Sequence, residues 1–510
     1  MTGAQQALQI ARPTWRLDRP RRDQLAILLF LLLAVLFLFG DTRVPPVALQ
    51  DEARNAVNAI EMHVRGYSLI TTFNFQPDLW NTKPPLLIWL MTASMNLFGP
   101  SEWSLRLPAA LAAMGTLGCT LWFVRRVTGS FSAALAAASL LLISPGFFGE
   151  HGARTADYDG PLALFVTAGL QLLFFAVHRT RPRLLSMFAI GGLIASAALT
   201  KSIAAFIPVT GVLLYLAAIR RFPRVLSQWQ RYAVAAALAV APLLTFYALR
   251  EAAGPGYLKA VLHNDILGRF SETMIEPTSP LYYVGQIFLG WFVAGPFLLA
   301  APLAMAHCSP RERLLFIYSA AIVGASLLVF SAASNRAVQY ALPMFPWLSI
   351  MAVLTLRYLV RVVVTSWRGG KTLLAIALGA TLVMVGGQVT YRAAYWRYQA
   401  FPERQFYAQS SYGDLFAALS ARGVTAVTVV DPGVRHLGIP GYAPLLHWNA
   451  LIWRERGMTI RQEQQQRAEG AGPFASCEPT VFNRWSGPAV EHIGRCAVLW
   501  RAVEVARRTA

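Results

Sequence analysis

Long apolar segments recur along most of this 510-residue chain, and they limit most strongly what it can fold into. A membrane-crossing helix needs about 20 apolar residues. Segments near this length are predicted at 25–40, 105–124, 130–148, 160–178, 185–200, 203–219, 231–249, 283–304, 312–330, 341–359 and 372–390. The shorter stretch 84–98 begins with two prolines and fits either a tilted span or an interfacial segment. We therefore predict an all-α polytopic membrane protein with roughly 11–13 transmembrane helices.

The charged residues support this class and give it an orientation. Only 14% of the residues are charged and the net charge is +20, whereas soluble domains carry about 25% charged residues. Short basic clusters separate the apolar segments, which is the pattern of membrane topology rather than of nucleic-acid binding. They lie at Arg12–Arg22, Arg125-Arg126, Arg179–Arg183, Arg220–Arg224, Arg311–Arg313 and Arg357–Lys371. These clusters mark the cytoplasmic side, so connections 41–82, 149–159, 250–282 and 331–340 face outward.

Three regions follow from this topology. Residues 1–24 form a basic cytoplasmic N-terminus before an uncleaved first span, residues 25–390 form the transmembrane domain, and residues 391–510 form an outward-facing C-terminal domain. Strand patterns at Gly423–Gly433 and Cys496–Val505 predict that this last domain is small and α/β. It contains Cys477 and Cys496, and the sequence leaves open whether they form the disulfide that an oxidising compartment would permit.

Acidic side chains gather at two outward connections. Asp51 and Glu52 begin a segment with helical spacing, 51–64, which predicts a helix lying in the membrane interface. Two acids at a helix start could simply complement the helix dipole. Asp157 and Asp159 precede another span, however, and two acidic loops on one membrane face are typical of a group-transfer site.

Cationic side chains gather at the same face. They are Lys83, Lys201, Arg269 and Arg336. Each alone could snorkel to lipid headgroups. Four of them opposite two acidic loops favour an anionic phosphate ligand at the membrane surface.

The order of these motifs resembles the membrane glycosyltransferases of the GT-C fold that use polyprenyl-phosphate sugars, above all the aminoarabinose transferases of lipid A and the protein mannosyltransferase-like proteins. The matching residues are Asp51-Glu52-Ala53-Arg54, Lys83-Pro84-Pro85, Leu105-Arg106-Leu107-Pro108, Ala153-Arg154-Thr155 with Asp157, Leu199-Thr200-Lys201-Ser202, Gly268–Phe270, and Tyr340 with Leu342, Pro343 and Pro346. The resemblance covers about residues 25–360 in order. Three departures are Ser202 for the usual glycine, Ile266 for a histidine, and Asn335-Arg336 where a lysine is common.

The resemblance implies an enzyme of the bacterial inner membrane that works on its periplasmic side. Asp51 would be the catalytic base, and Asp157 would be a second acidic catalytic residue that orients the acceptor or the base. Lys83, Lys201 and Arg269 would bind the donor phosphate. Glu52, Arg54, Tyr340 and Arg336 would position donor or base. The sugar would pass from polyprenyl phosphate, by inverting displacement, to an envelope acceptor, with lipid A or another lipopolysaccharide part favoured.

Other interpretations stay open at this point. A protein O-glycosyltransferase of the same fold, a lipid or sugar transporter, and a non-catalytic envelope scaffold are the alternatives. No cofactor beyond the donor lipid is required, no metal ligands are assigned, and a divalent metal is undecided because no cluster has metal-ligand spacing. We expect membrane lipids but no nucleic acid as partners. The transferred sugar, the acceptor and the oligomeric state are not readable from the sequence.

Overall fold

The computed structural model describes residues 21–40, 47, 49–149, 151–267, 279–334, 336–366, 411–432, 442–464 and 472–500. The predicted span 372–390 lies outside these residues. The chain divides into two compact units, which are treated separately below. Of the described residues, the first unit contains 21–40, 79–87 and those between 106 and 366; the second contains those between 47 and 78, 88–105, and those between 411 and 500.

Helices make up most of the described residues before residue 367. They are α1 (Arg21–Phe39), α2 (Gln50–Arg65), α3 (Leu86–Phe98), α4 (Glu102–Thr128), α5 (Phe131–Ile143), α6 (Pro145–Phe148), α7 (Asp159–His178), α8 (Leu184–Lys201), α9 (Ile207–Ala218), α10 (Phe222–Leu226), α11 (Trp229–Ala253), α12 (Tyr257–Val261), α13 (Tyr282–Gln286), α14 (Ala301–His307), α15 (Pro310–Ala332) and α16 (Phe345–Ser366). Turns of 3-10 helix lie at Ser202–Phe206, Gly295–Ala300 and Val338–Met344, and π-helical turns at Leu262–Leu267 and Ile287–Trp291.

Seven helical segments among the described residues are long and apolar enough to cross a membrane. They are α1, α4, α7, the α8–α9 segment, α11, α15 and Gln339–Thr365. Helix α1 leaves large apolar side chains exposed, such as Leu25 (56%) and Leu28 (63%). Water disfavours such a surface and lipid accepts it. The prediction of a multi-pass, largely helical membrane protein is confirmed, and the total of 11–13 spans stays a prediction.

Two predicted spans are shorter or broken in the structure. The predicted span 283–304 is divided into α13, a π turn, a 3-10 turn and α14. The predicted span 130–148 ends as α5 at Ile143, and Pro145 begins a new short helix. Proline lacks the backbone N–H of a helical hydrogen bond and clashes with the preceding turn. Helices that hydropathy alone predicts as continuous are therefore interrupted at Pro145 and, in the later segment, at Pro296 and Pro302.

The boundary between α8 and α9 falls where the sequence predicts it, after Lys201. Ser202 has φ +55° and ψ −136°, a conformation that favours glycine. Its hydroxyl forms a hydrogen bond with the hydroxyl of Tyr247. A serine therefore holds a strained backbone position at the place where the resembling family has glycine.

This strain predicts an unusual order of stability. We expect Ser202→Gly to be more stable than Ser202→Ala by about 1–2 kcal/mol, because both lose the hydroxyl but only alanine clashes at positive φ. Thermal unfolding of the purified protein in lipid nanodiscs checks the order. Ser196, inside α8, is the matched control. At that position the alanine variant should be more stable than the glycine variant by about 1 kcal/mol. Equal stability of the two Ser202 variants would contradict the strain argument.

In the second unit, α2 is enclosed rather than half-exposed. Every residue from Glu52 to Met62 is buried, whereas Val64, predicted on the apolar face, is 50% exposed. The hairpin formed by β1 (Thr72–Phe73) and β2 (Gln76–Pro77) follows it. Glu61 Oε1 lies 3.0 Å from His447 Nε2, which ties this helix to the C-terminal part of the chain. The prediction of a helix at 51–64 is confirmed, and its place in the membrane interface stays a prediction.

The C-terminal part of the second unit is α/β, as predicted. Its helices are α17 (Tyr412–Ala421), α18 (Pro444–Glu455) and α19 (Pro479–Phe482), and its strands are β3 (Ala426–Val430), β4 (Thr459–Glu463), β5 (Phe474–Ser476), β6 (Val490–Ile493) and β7 (Cys496–Leu499). The sheet order is β4-β3-β5-β7-β6, with β3 parallel to both of its neighbours. Cys477 and Cys496 form a disulfide, which answers the question left open by the sequence. The 390/391 domain boundary stays a prediction.

Candidate active site

A cavity of about 330 Å³ in the first unit is charged at one end and apolar along its wall. Its charged and polar lining comprises Lys83, Asp159, Lys201, Asp265 and Tyr340. Its apolar lining includes Leu162, Ile203, Phe206, Ile207, Val329 and Phe330. We call it the lysine cavity. Such a shape can accommodate a ligand that joins a charged group to a long apolar chain.

One buried ion pair fixes Lys201 at the charged end. Lys201 is the last residue of α8, and its Nζ donates to both carboxylate oxygens of Asp159 at 2.6 and 2.5 Å. Asp159 is the first residue of α7, where the helix dipole favours an acid. The side chains are 11% and 1% exposed, respectively. Lys201 Nζ also lies 5.0 Å from the ring centroid of Tyr340. Three elements therefore hold one ammonium group.

A second acid holds the segment that contains Lys83. Asp265, on the π turn after α12, lies 3.7 Å from Lys83 Nζ and accepts a hydrogen bond of 2.7 Å from the hydroxyl of Thr82. Tyr257 donates through its hydroxyl to the Thr82 carbonyl at 2.6 Å. Within the described residues that line the lysine cavity, two lysines thus face two aspartates. The charges balance, and an incoming anion must compete with the carboxylates.

Asp157 has a different environment from Asp159. His151 Nδ1 lies 2.5 Å from Asp157 Oδ2, and the Tyr158 backbone N–H donates to Asp157 Oδ1 at 2.7 Å. An ionised Asp157 only accepts hydrogen bonds, and Nδ1 is then the donor in this pair. His151 has φ +56°, a strained value of the kind that clusters at functional sites.

In the second unit, Asp51 stands in the first turn of α2. Arg54 Nη2 donates to Asp51 Oδ1 at 2.7 Å, one helical turn away. The Asp51 side chain is 40% exposed and that of Arg54 is 10% exposed. Glu52, the other acid of the pair, is buried. Asp51 rather than Glu52 is therefore the carboxylate that a substrate can reach.

The remaining predicted residues have different outcomes. Tyr340 lines the lysine cavity. Arg336 donates through Nε and Nη2 to the Ser331 carbonyl near the end of α15, at 3.2 and 2.9 Å, which satisfies a terminal helix acceptor. Arg269 lies outside the described residues. The assignment of Arg336 to the donor stays a prediction.

Sequence reasoning left Asp265 and His151 out of the site, and it named Asp159 beside Asp157 without giving Asp159 a role. The pairing of Asp159 with Lys201 joins the ends of two different helices, and local spacing does not reveal it. Asp265 stands four residues before Arg269 in "HNDILGRF". An acid in an outward connection that already contains a predicted phosphate ligand was the available signal. The position of His151, six residues before the predicted acid Asp157, was a weaker signal.

Comparisons of the sequence place the chain near known glycosyltransferases. The family model described as "Dolichyl-phosphate-mannose-protein mannosyltransferase" matches residues 82–246. The undecaprenyl phosphate-alpha-4-amino-4-deoxy-L-arabinose arabinosyl transferase of Shewanella sediminis is 28% identical over 307 residues, 59% of this chain and 54% of that protein. The protein of the same name from Pectobacterium carotovorum is 26% identical over 467 residues, 83% of this chain and 80% of that one. The match thus spans about half of the first relative's length.

Solved structures give the fold. ArnT from Cupriavidus metallidurans bound to undecaprenyl phosphate superimposes with a TM-score of 0.64 at 16% identity, over 92% of this chain and 97% of that one. The archaeal oligosaccharyltransferase AglB from Archaeoglobus fulgidus gives a TM-score of 0.50 at 14% identity, over 87% of this chain and 65% of that one. The chain has the GT-C fold, as the sequence resemblance implied, and these relatives and fold neighbours are glycosyltransferases.

Proposed function

We propose that this GT-C fold chain is an inner-membrane glycosyltransferase that moves a sugar from a polyprenyl-phosphate carrier to an envelope acceptor at the periplasmic face. The lysine cavity is the observation that carries the proposal. Its lysines suit a phosphate, and its apolar wall suits the first isoprene units of a carrier lipid. The named relatives use an undecaprenyl-phosphate sugar, and one fold neighbour binds undecaprenyl phosphate.

The chemistry follows from the charge that develops during transfer. An acceptor hydroxyl oxygen attacks the anomeric carbon, the bond from that carbon to the phosphate oxygen breaks, and its electron pair leaves with the phosphate. The donor phosphodiester has one negative charge, and the departing monoester gains another. Lys83 and Lys201 therefore bind the leaving group more strongly than the donor, which lowers the barrier.

The proton of the acceptor hydroxyl needs a base on the acceptor side. We assign this role to Asp51, because it is the accessible acid of α2 and Arg54 holds one of its oxygens. Asp157, paired with His151, is proposed to orient the acceptor or the base. Direct displacement in one step inverts the configuration at the anomeric carbon. We favour lipid A or another lipopolysaccharide part as the acceptor, on the resemblance.

The balanced charges of the lysine cavity suggest how binding is gated. Each lysine must either contact its carboxylate partner and the incoming phosphate together or release the carboxylate. Asp265 is the easier partner to displace, because its distance to Lys83 Nζ is 3.7 Å while the Asp159–Lys201 distances are about 1 Å shorter. We assign Lys201 to a fixed part of the site and Lys83 to the part that adjusts to the donor.

Replacing Lys83 tests the donor site. We expect Lys83→Met to lower kcat/KM for a polyprenyl-phosphate sugar by about 10–100-fold, because it removes a charge-assisted hydrogen bond to the phosphate. Transfer is measured with purified protein and a panel of polyprenyl-phosphate sugars carrying aminoarabinose, mannose or galacturonic acid. Lys259→Met is the matched control, since Lys259 is exposed on α12. Equal transfer by both variants would remove the lysine cavity from the donor site, and no transfer by the wild type with any donor would overturn the proposed function.

A further inference from the structure

We infer that the second unit contains a saccharide-binding site for the acceptor, an inference that rests on the proposed function and gives the acceptor's place. The site is a cavity of about 560 Å³. Asn74, Asp431, His447, Arg454, Glu463 and Gln464 are part of its lining. We call it the sheet-edge cavity. Its lining is more polar than that of the lysine cavity.

The position of the cavity in the sheet is that of a binding site. Strands β3 and β4 are parallel, and Asp431 and Glu463 lie next to each other at their carboxyl ends, joined by a hydrogen bond of 2.9 Å from Asp431 N to Glu463 O. Helix α18 connects the two strands, and the chain then returns to the other side of β3 as β5. In open α/β sheets, ligands bind outside the carboxyl ends of the strands, and Asp431 and Glu463 bring part of the cavity lining to those ends beside the edge strand β4.

Glu463 is a buried carboxylate of the cavity that has an ion-pair partner but, in the part of the chain that the structure describes, no hydrogen bond. Its side chain is only 7% exposed, and its Oε1 lies 3.1 Å from Arg461 Nε. Among the described residues, neither of its carboxylate oxygens accepts a hydrogen bond, and the buried amide nitrogen of Gln462 has no acceptor. Buried polar atoms without partners are rare and costly. Bound hydroxyl groups would supply both the missing donors and the missing acceptor.

The other polar groups favour a saccharide over a simple ion. A sugar hydroxyl donates one hydrogen bond and accepts others. Glu463 supplies a carboxylate acceptor and Arg461 a guanidinium donor, so both requirements are met. Asp431 and Arg454 also line the cavity, but Asp431 already accepts a hydrogen bond from Tyr412 and Arg454 already donates to a backbone carbonyl. The two signs of charge are balanced, which gives no net attraction for a bare anion or cation.

Helix α2 links this cavity to the proposed base. His447 lines the cavity and contacts Glu61 near the end of α2. Asp51 begins the same helix, about 15 Å away along the axis at 1.5 Å per residue. A short oligosaccharide held in the cavity can therefore extend toward Asp51, which lies in the same unit. The protein would select the acceptor by binding sugars that are remote from the reacting hydroxyl.

Binding without a donor tests this inference separately from catalysis. The probe is the soluble oligosaccharide obtained from lipopolysaccharide by complete deacylation, measured by isothermal titration against the full chain in nanodiscs. We expect Glu463→Gln to bind it about 10–100-fold more weakly, because the amide loses the charge-assisted hydrogen bonds. Gln464→Trp, at the exposed rim, should also block binding without disturbing the fold. Glu455→Gln, an exposed acid at the end of α18, should bind as the wild type does.

The alternatives give different results. Unchanged binding by both Glu463→Gln and Gln464→Trp would overturn the inference, as would no binding by the wild type or complete displacement of the probe by inorganic phosphate. Loss of binding in the two cavity variants, with Glu455→Gln unaffected, supports it even if no donor is ever transferred. If transfer does occur, the same variants should raise the acceptor KM while kcat stays within about 2-fold, as expected for uniform binding energy.

Discussion

Asp51→Asn should lower the rate of sugar transfer by about 10²–10⁴-fold, the range that a positioned general base contributes. Asparagine keeps the shape of the side chain and can still accept a hydrogen bond from Arg54, but it cannot take a proton from the acceptor hydroxyl. The helix start and the Asp51–Arg54 contact at 2.7 Å should survive. The loss should therefore appear in kcat, with the donor KM little changed. Initial rates with a polyprenyl-phosphate sugar measure it.

Two controls make this result specific. Asp414→Asn changes an exposed acid of α17, in the same unit as Asp51, and should transfer at the wild-type rate. Asp51→Glu keeps a base but moves it by one methylene, so partial activity is expected. If Asp51→Asn transfers at the original rate, Asp51 is not the base. Asp157 would then be the acid to examine next.

The buried pair of Lys201 and Asp159 should produce the largest effect on stability. Removing either partner leaves an uncompensated buried charge, so Lys201→Met and Asp159→Asn should each lower the free energy of unfolding by about 3–5 kcal/mol. The double variant should recover most of this loss, because no unpaired charge remains. Equilibrium denaturation in mixed micelles, with all four proteins in the same conditions, measures the coupling.

The double variant also separates stability from function. It should fold well but transfer sugar at least about 100-fold more slowly, because the ammonium group that stabilises the leaving phosphate is gone. The Arg357–Glu312 pair, 2.7 Å long but with a 38% exposed arginine side chain, is the control. The two single variants and the double variant of that pair should give a coupling free energy below about 1 kcal/mol. A stable double variant with full activity would exclude Lys201 from the phosphate site.

The candidate site shows where sequence reasoning reaches its limit. Lys83, Lys201 and Tyr340 were predicted together, and the structure places all three around the lysine cavity. The pairing of each lysine with an aspartate was not predicted. Asp159 is 42 residues from Lys201, and Asp265 is 183 residues from Thr82. Neither distance leaves a periodic trace in the sequence, because the partners belong to different helices.

The C-terminal domain shows the same limit in another form. Strand patterns predicted β3 and β7, since alternation and turn residues are local properties. The parallel pairing of β3 with β4, which places Asp431 beside Glu463, depends on the crossover through α18. The sequence of this region contained no motif for an acceptor. Only the pairing of the strands brings the polar side chains of the sheet-edge cavity together.

The sequence by itself determined that this chain crosses a membrane repeatedly and that its polar residues gather in particular connections. Both follow from the free energy of transferring each segment into lipid, which depends on local composition. Tertiary structure alone decided where prolines interrupt the helices, which aspartate neutralises which lysine, and where a buried carboxylate such as Glu463 lines a cavity. These properties depend on distances between remote residues. Asp51, recognised by its motif, is the exposed acid of its helix because packing buries Glu52.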